Sequence, residues 1–226
     1  ASLYGWPTWQ PHLAPVDELV NCILSQSTSD HNRDLGYAQL IARFASWEAV
    51  RDAPLDALTD AIRPAGLANH KAPVIQNALR LITEKYGTIS LDFLADMSVT
   101  EASAFLQSLP GVGPKTAAIV LLFSLHRPAF PVDRHVHRVG GRLGLIGPRV
   151  SADQAHTIFE QMVPADEYYP AHLNIIAHGR KICQARTPLC ERCPLTAWCD
   201  YYTTSRQAVE SRRAKKTTKP SAKERS

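Results

Sequence analysis

The chain reads as an all-α protein of two lobes, and three observations carry that reading. Apolar residues recur at helical spacing along most of its length, as in VDELVNCIL over 16–24, where positions 16, 19, 20, 23 and 24 are apolar. A tight glycine turn, LPGVG over 109–113, stands between two helical stretches, and no strand alternation or hairpin pattern is found among the segments. Four cysteines fall within seventeen residues near the end, at 183, 190, 193 and 199, which is enough to close a second lobe around a metal.

Residues 1–15, rich in Trp, Pro and Tyr, form an irregular arm, with Trp6 and Trp9 as anchors to the body. The helix over 16–24 includes Cys22 as a plain buried thiol. The polar run QSTSD (26–30) breaks the pattern, and Asp30 is expected to cap a helix from Asn32 to Phe44. Two short helices flank Pro54 between Trp47 and Ala61. The segment IRPAGLANHKA (62–72) is a second hairpin-like turn, where Lys71 meets carbonyls or a phosphate. Helices over 73–86, 90–97 and 99–108 follow, with Thr100 as the cap of the last.

The stretch 109–133 organises the rest. Gly111 and Gly113 lack Cβ, so the backbone can turn sharply and lie against a ligand. Pro114 suits the first position of an apolar helix running to about Leu125. The N–H groups of Gly111, Val112 and Gly113 would then sit at a helix N-terminus, where phosphate is favoured. Such a device grips a nucleic-acid backbone without reading bases. Lys115 falls in the first turn, where the macrodipole disfavours a cation. Position alone leaves a solvated lysine or phosphate contact and a reactive amine equally open. Asp133 opens a helix continued by apolar residues at 136, 139, 143 and 146, and its plain use is as an N-cap. Ser151 caps a helix over 152–162, and a helix over 172–180 leads into the cysteines.

The cysteines are spaced C-x6-C-x2-C-x5-C. Paired disulfides need an oxidising compartment, for which nothing speaks. Zinc favours two close pairs, and here one pair is that close. Iron–sulfur clusters accept four thiolates at varied spacings. On chemistry alone, cluster and zinc remain open.

LPGVGxKTA followed by VDxHVxR, together with the cysteine spacing, resembles the helix-hairpin-helix DNA glycosylase superfamily, in its endonuclease III branch. The likeness runs over about 16–199. It implies a two-lobed helical DNA glycosylase fold with a [4Fe–4S] cluster on Cys183, Cys190, Cys193 and Cys199. It also implies Lys115 as nucleophile, with a pKa depressed by partial burial and the helix N-terminus, and Asp133 as its electrostatic partner. The implied activity is base-excision repair: removal of oxidised pyrimidines from duplex DNA, then Schiff-base formation and β-elimination at the abasic site. Relatives that cleave only the glycosidic bond usually lack the lysine. A DNA-binding protein that is non-catalytic, or mainly an abasic-site lyase with weak lesion recognition, is the alternative.

The resemblance also implies DNA contacts at Gln26, Ser27, Leu67, Gly111, Val112, Gly113 and Arg186. Leu67 would be an apolar wedge beside the lesion, although a leucine after a glycine is more often core. Ser27 stands where the branch has glutamine, Arg134 follows the aspartate where it has threonine, and Gly141 stands where it has asparagine. Arg180, Lys181, Arg186 and Arg192 would offset the charge of the cluster or face phosphates.

The expected division is 16–127 as a helical barrel with the hairpin, 1–15 plus 128–202 as the iron–sulfur domain, and 203–226 as a basic tail. Lys115 and Asp133 would face each other across the cleft. The net charge of +4 is uneven: residues 206–226 carry +6 and the remainder −2. A nucleic-acid face on the body is therefore a local patch, and the tail is either merely solvated or adds salt-sensitive DNA affinity. With no apolar run long enough to span a membrane and no secretory leader pattern, a monomer acting on double-stranded DNA is expected. Its place is the bacterial cytoplasm, with the nucleoid, or another DNA-containing intracellular compartment.

Overall fold

The computed structural model describes residues 3–205 and 207; the basic tail, apart from its first residues, lies outside them. Among the described residues every regular element is helical. The helices are α1 (Pro15–Ser25), α2 (Asp30–Arg43), α3 (Trp47–Asp52), α4 (Leu55–Ala61), α5 (Ala68–Tyr86), α6 (Val99–Gln107), α7 (Pro114–Ile119), α8 (Arg134–Leu143), α9 (Ala152–Met162) and α10 (Tyr168–Lys181). No helix is long and apolar enough to cross a membrane among the described residues.

The chain divides into two compact units. Of the described residues, one unit, the hairpin unit, comprises 6–131 and 156–172; the other, the cysteine unit, comprises 3–5, 132–155 and those from 173 on. Most of the arm thus goes with the hairpin unit, rather than with the cysteines as expected, and so do residues 156–172. The reason for the arm lies in its bonds: Trp9 stacks on His126 with ring centroids 4.4 Å apart and donates Nε1–H to the carbonyl of Leu122 at 2.8 Å. Trp6 remains half exposed.

The hairpin unit is built on α1, whose residues Leu19, Val20, Ile23 and Leu24 are buried against α2, α5 and α7. The core continues through Leu58, Ile75, Leu79, Ile82, Leu106 and Leu121. Local caps differ from expectation in two places. Ser29, not Asp30, caps α2 by accepting from Asn32 N–H at 3.2 Å. Ser98, not Thr100, caps α6 in a capping box with Glu101. Residues 90–97 form only a 3₁₀ turn over Asp92–Ala95, because Ser90 bonds both the side chain and the amide of Asp92 and favours a turn.

The apolar stretch after the glycine turn is helical to Leu125, but its second half, Val120–Ser124, winds as a π turn. A widened turn leaves carbonyls without regular helical partners. Here Leu121 O accepts from Arg127 N–H at 2.8 Å, Leu122 O from Trp9 and Phe123 O from His12 N–H at 3.4 Å. The arm therefore completes the end of the helix that begins at Pro114 and carries Lys115.

In the cysteine unit, α8 buries Val136 and Val139. A Cβ on Gly179 of α10 would meet the Cβ of His135 at 3.0 Å, so a glycine there lets α10 lie close to α8. After α10 the backbone runs through short 3₁₀ turns at Cys190–Arg192 and Thr196–Trp198 to a last helical turn over 200–205.

Candidate active site and cysteine pocket

The glycine turn is fixed by one contact. Gly111 has φ +71°, and a Cβ there would come within 2.6 Å of Val74 on α5. Glycine is required on both counts. Val112 is buried, and its N–H donates to Leu109 O at 3.2 Å, so it is spent inside the turn rather than offered to a phosphate. Gly111 and Gly113 are exposed. Lys115 is the second residue of α7 and half buried. Among the described residues no hydrogen bond or ion pair holds its ammonium.

Two further segments of the hairpin unit carry residues the sequence singled out. Gln26, just past α1, donates its side-chain amide to Gly111 O at 3.0 Å. The neighbouring Ser27 is exposed, with φ +53°. Lys71 is buried and donates to Leu24 O at 2.7 Å and Ala65 O at 2.8 Å. A cation on two carbonyls at helical C-termini is the favourable end of the dipole. Lys71 thus caps carbonyls and fastens the turn that bears Leu67. Leu67 is 60% exposed, with φ +51°. An apolar side chain held out in a left-handed conformation is costly on both counts, which removes the plain core reading of this residue.

Asp133 caps α8: its Oδ1 accepts from His135 N–H and Val136 N–H, each at 2.8 Å. No hydrogen bond reaches Oδ2 among the described residues. His135 is pushed below the usual histidine range by burial, against the pull of Asp133 and with the help of Arg138, Arg134 and Arg180. Arg138 bonds Cys183 O at 3.0 Å and Gly179 O at 2.8 Å, a structural use.

All four thiols line one pocket, with Val139, Arg142, Leu143 and His178. Burial, followed by the charge of the neighbouring thiols, raises Cys190. No group of three or more His, Cys, Asp or Glu is arranged around a single ion among the described residues. A tetrahedral zinc would need four sulfurs at about 2.3 Å from one point. Four thiols lining one pocket are a donor set that iron–sulfur clusters also accept. The basic residue that holds the loop is Arg142, which the sequence pattern did not single out. It donates to Gln184 O at 2.7 Å, Ala185 O at 2.8 Å and Cys183 Sγ at 3.3 Å, while lying over the ring of Tyr201. Arg186 and Arg192 are exposed, and Lys181 lies over the ring of Tyr4. On the far side, Tyr4 O–H lies 3.2 Å from His178 Nδ1, and His178 Nε2 is 3.6 Å from Cys193 Sγ.

A glycine hairpin between helices, a half-buried lysine two residues past it and a four-thiol pocket define a class, and the comparisons agree with it. Residues 20–165 match the family described as HhH-GPD superfamily base excision DNA repair protein. The fold and the match make the chain a DNA glycosylase of base-excision repair. Endonuclease III of Thermotoga maritima is 34% identical over 188 residues, covering 83% of this chain and 84% of that one. Endonuclease III of Sulfolobus acidocaldarius is 32% identical over 182 residues, covering 80% and 79%. A solved structure, a trapped endonuclease III–DNA covalent intermediate, superposes with a TM-score of 0.77 at 29% identity, over 89% of this chain and 90% of that one. The chain belongs to the endonuclease III family of this superfamily.

Proposed function

We propose that the chain binds double-stranded DNA at a damaged base or abasic site, removes the base and cuts the strand through a Schiff base on Lys115. The observation that carries this is the lysine itself: half buried at the second position of α7, beside the exposed Gly111 and Gly113, and held by no other group among the described residues. That a structural relative is a trapped covalent complex supports the same chemistry.

The turn holds the backbone, and the damaged nucleotide leaves the stack, which costs least where pairing is already weakened. Leu67 enters the opened duplex. Asp133, aimed by its two amide bonds, stabilises the cationic sugar as the base departs. The Lys115 Nζ lone pair attacks C1′, and the ring opens to the Schiff base. Loss of a C2′ proton then expels the 3′ phosphate by β-elimination. Oxidised pyrimidines are the proposed substrates.

Cys183, Cys190, Cys193 and Cys199 would hold a [4Fe–4S] cluster, which when bound cross-links the C-terminal segment and takes no part in bond breaking. The protein would work as a monomer in a DNA-containing compartment.

Borohydride trapping on abasic duplex DNA, followed by a panel of damaged duplexes, tests this. The wild-type chain is expected to form a covalent adduct, and Lys115→Gln to form none. Binding without trapping would leave a non-catalytic DNA-binding module. A mainly abasic-site lyase with weak lesion recognition is favoured by one observation: Ser27 is short, and Gln26 beside it is tied to Gly111. Trapping on abasic DNA with little excision of any damaged base would select that reading.

A further inference from the structure

In the cysteine unit, one face of α10 holds the first described residues of the arm. Asn174 Nδ2–H donates to Gly5 O at 3.1 Å, and Lys181 Nζ lies 5.5 Å from the centre of the Tyr4 ring. Between these two on the same face is His178, which is buried. Tyr4 and His178 meet edge to face, with ring centroids 6.1 Å apart. The phenol oxygen of Tyr4 lies 3.2 Å from His178 Nδ1, and the opposite ring nitrogen, Nε2, lies 3.6 Å from Cys193 Sγ. The imidazole thus bridges a phenol and one sulfur of the pocket that all four thiols line. The mechanism above gives neither Tyr4 nor His178 a task.

In a neutral imidazole one nitrogen donates and the other accepts, and the bond made on one side decides the role of the other. A phenol O–H donating to Nδ1 leaves the ring proton on Nε2. The Cys193 sulfur stands here for a thiolate bound to iron, which can only accept. The reverse tautomer would aim a lone pair at it. A hydrogen bond to a cluster sulfur favours the cluster state that carries more negative charge. We propose that Tyr4 and His178 are positioning residues that raise the reduction potential of a cluster in this pocket, Tyr4 by fixing the tautomer and His178 by donating Nε2–H to Cys193 Sγ; this rests on the cluster reading of the four cysteines. When the cluster gains one electron, no bond forms or breaks in the pair, and the proton stays on Nε2. Two other donors reach the sulfurs: Leu195 N–H bonds Cys193, and Arg142 bonds Cys183 Sγ at 3.3 Å. An amide and a guanidinium donate whatever surrounds them. Of these three donors, only His178 needs a partner to become one.

The test is protein-film voltammetry on the full chain purified with its cluster, with iron and acid-labile sulfide per chain measured alongside. His178→Phe keeps a ring in the space and removes the donor. It is expected to lower the one-electron reduction constant about tenfold, a midpoint shift of about 59 mV. Tyr4→Phe removes only the O–H and should shift the midpoint the same way by less. His178→Gln, which offers an amide N–H in place of Nε2–H, should lie closer to wild type than His178→Phe does. A pair that merely ties the arm to α10 would change melting temperature or iron content and leave the midpoint of the loaded protein where it was; that result overturns the proposal. If His178→Phe does not retain iron, Tyr4→Phe decides by the same criterion, since it deletes a single oxygen. A wild-type chain that carries zinc, or no iron and sulfide, instead overturns the cluster reading.

Discussion

Gln26 donates its side-chain amide to the main-chain oxygen of Gly111 at 3.0 Å. Residues 85 positions apart are thereby joined at the glycine turn. The bond lies on the exposed surface, so it orients the turn more than it stabilises the fold. Gln26→Ala should lower the melting temperature by no more than about 4 °C, since the bond is worth about 1 kcal/mol or less. It should weaken duplex binding several-fold, as read by fluorescence anisotropy on an abasic oligonucleotide. Unchanged affinity would show that the turn holds its shape alone.

Gly111→Ala combines a strained φ with a collision against Val74. A cost of about 2 kcal/mol is expected in urea unfolding. Gly113, for which a Cβ meets open space, should tolerate alanine far better. Equal costs at the two positions would contradict the turn geometry.

Arg142→Lys keeps the charge but loses the planar fork that spans Gln184 O, Ala185 O and Cys183 Sγ. The loop should hold the proposed cluster less firmly. Iron and acid-labile sulfide per chain, measured during dialysis against a chelator, should fall faster than in wild type. Arg192→Lys, an exposed change, should not accelerate the loss.

His135 supplies a pH dependence. Its folded pKa lies below the ordinary value of about 6.5. Below that value the unfolded chain binds the proton more readily than the folded one, so stability falls as pH drops from about 6.5 toward the lowered folded value. Above about 6.5 the contribution is constant. His135→Gln should flatten this part of the melting curve against pH; an unaltered slope would assign it to other groups.

Much of the architecture was legible in the sequence because its signals are local. Helical periodicity marked α1, α5 and α8, and a proline after two glycines marked the start of α7. Asp133 before an apolar helix marked its own cap, and the cysteine spacing marked a shared pocket. These patterns fix backbone conformation or composition within a few residues. Cap choice was harder, since Ser29 against Asp30 and Ser98 against Thr100 differ only in which oxygen reaches the third amide.

Long-range geometry was not legible. Nothing local says that Trp9 and His12 complete a π turn more than a hundred positions later, that Arg142 rather than Arg192 holds the cysteine loop, or that Glu18 is buried. Each depends on which helix packs where, and a polar side chain enters a core only when folding brings it a partner. By itself the sequence determined the helices, the glycine turn with its lysine and the thiol set, because backbone sterics and ligand chemistry are written in neighbouring residues. Only the tertiary structure decided which carbonyls, carboxylates and guanidiniums meet, because their hydrogen bonds span segments that the chain keeps far apart.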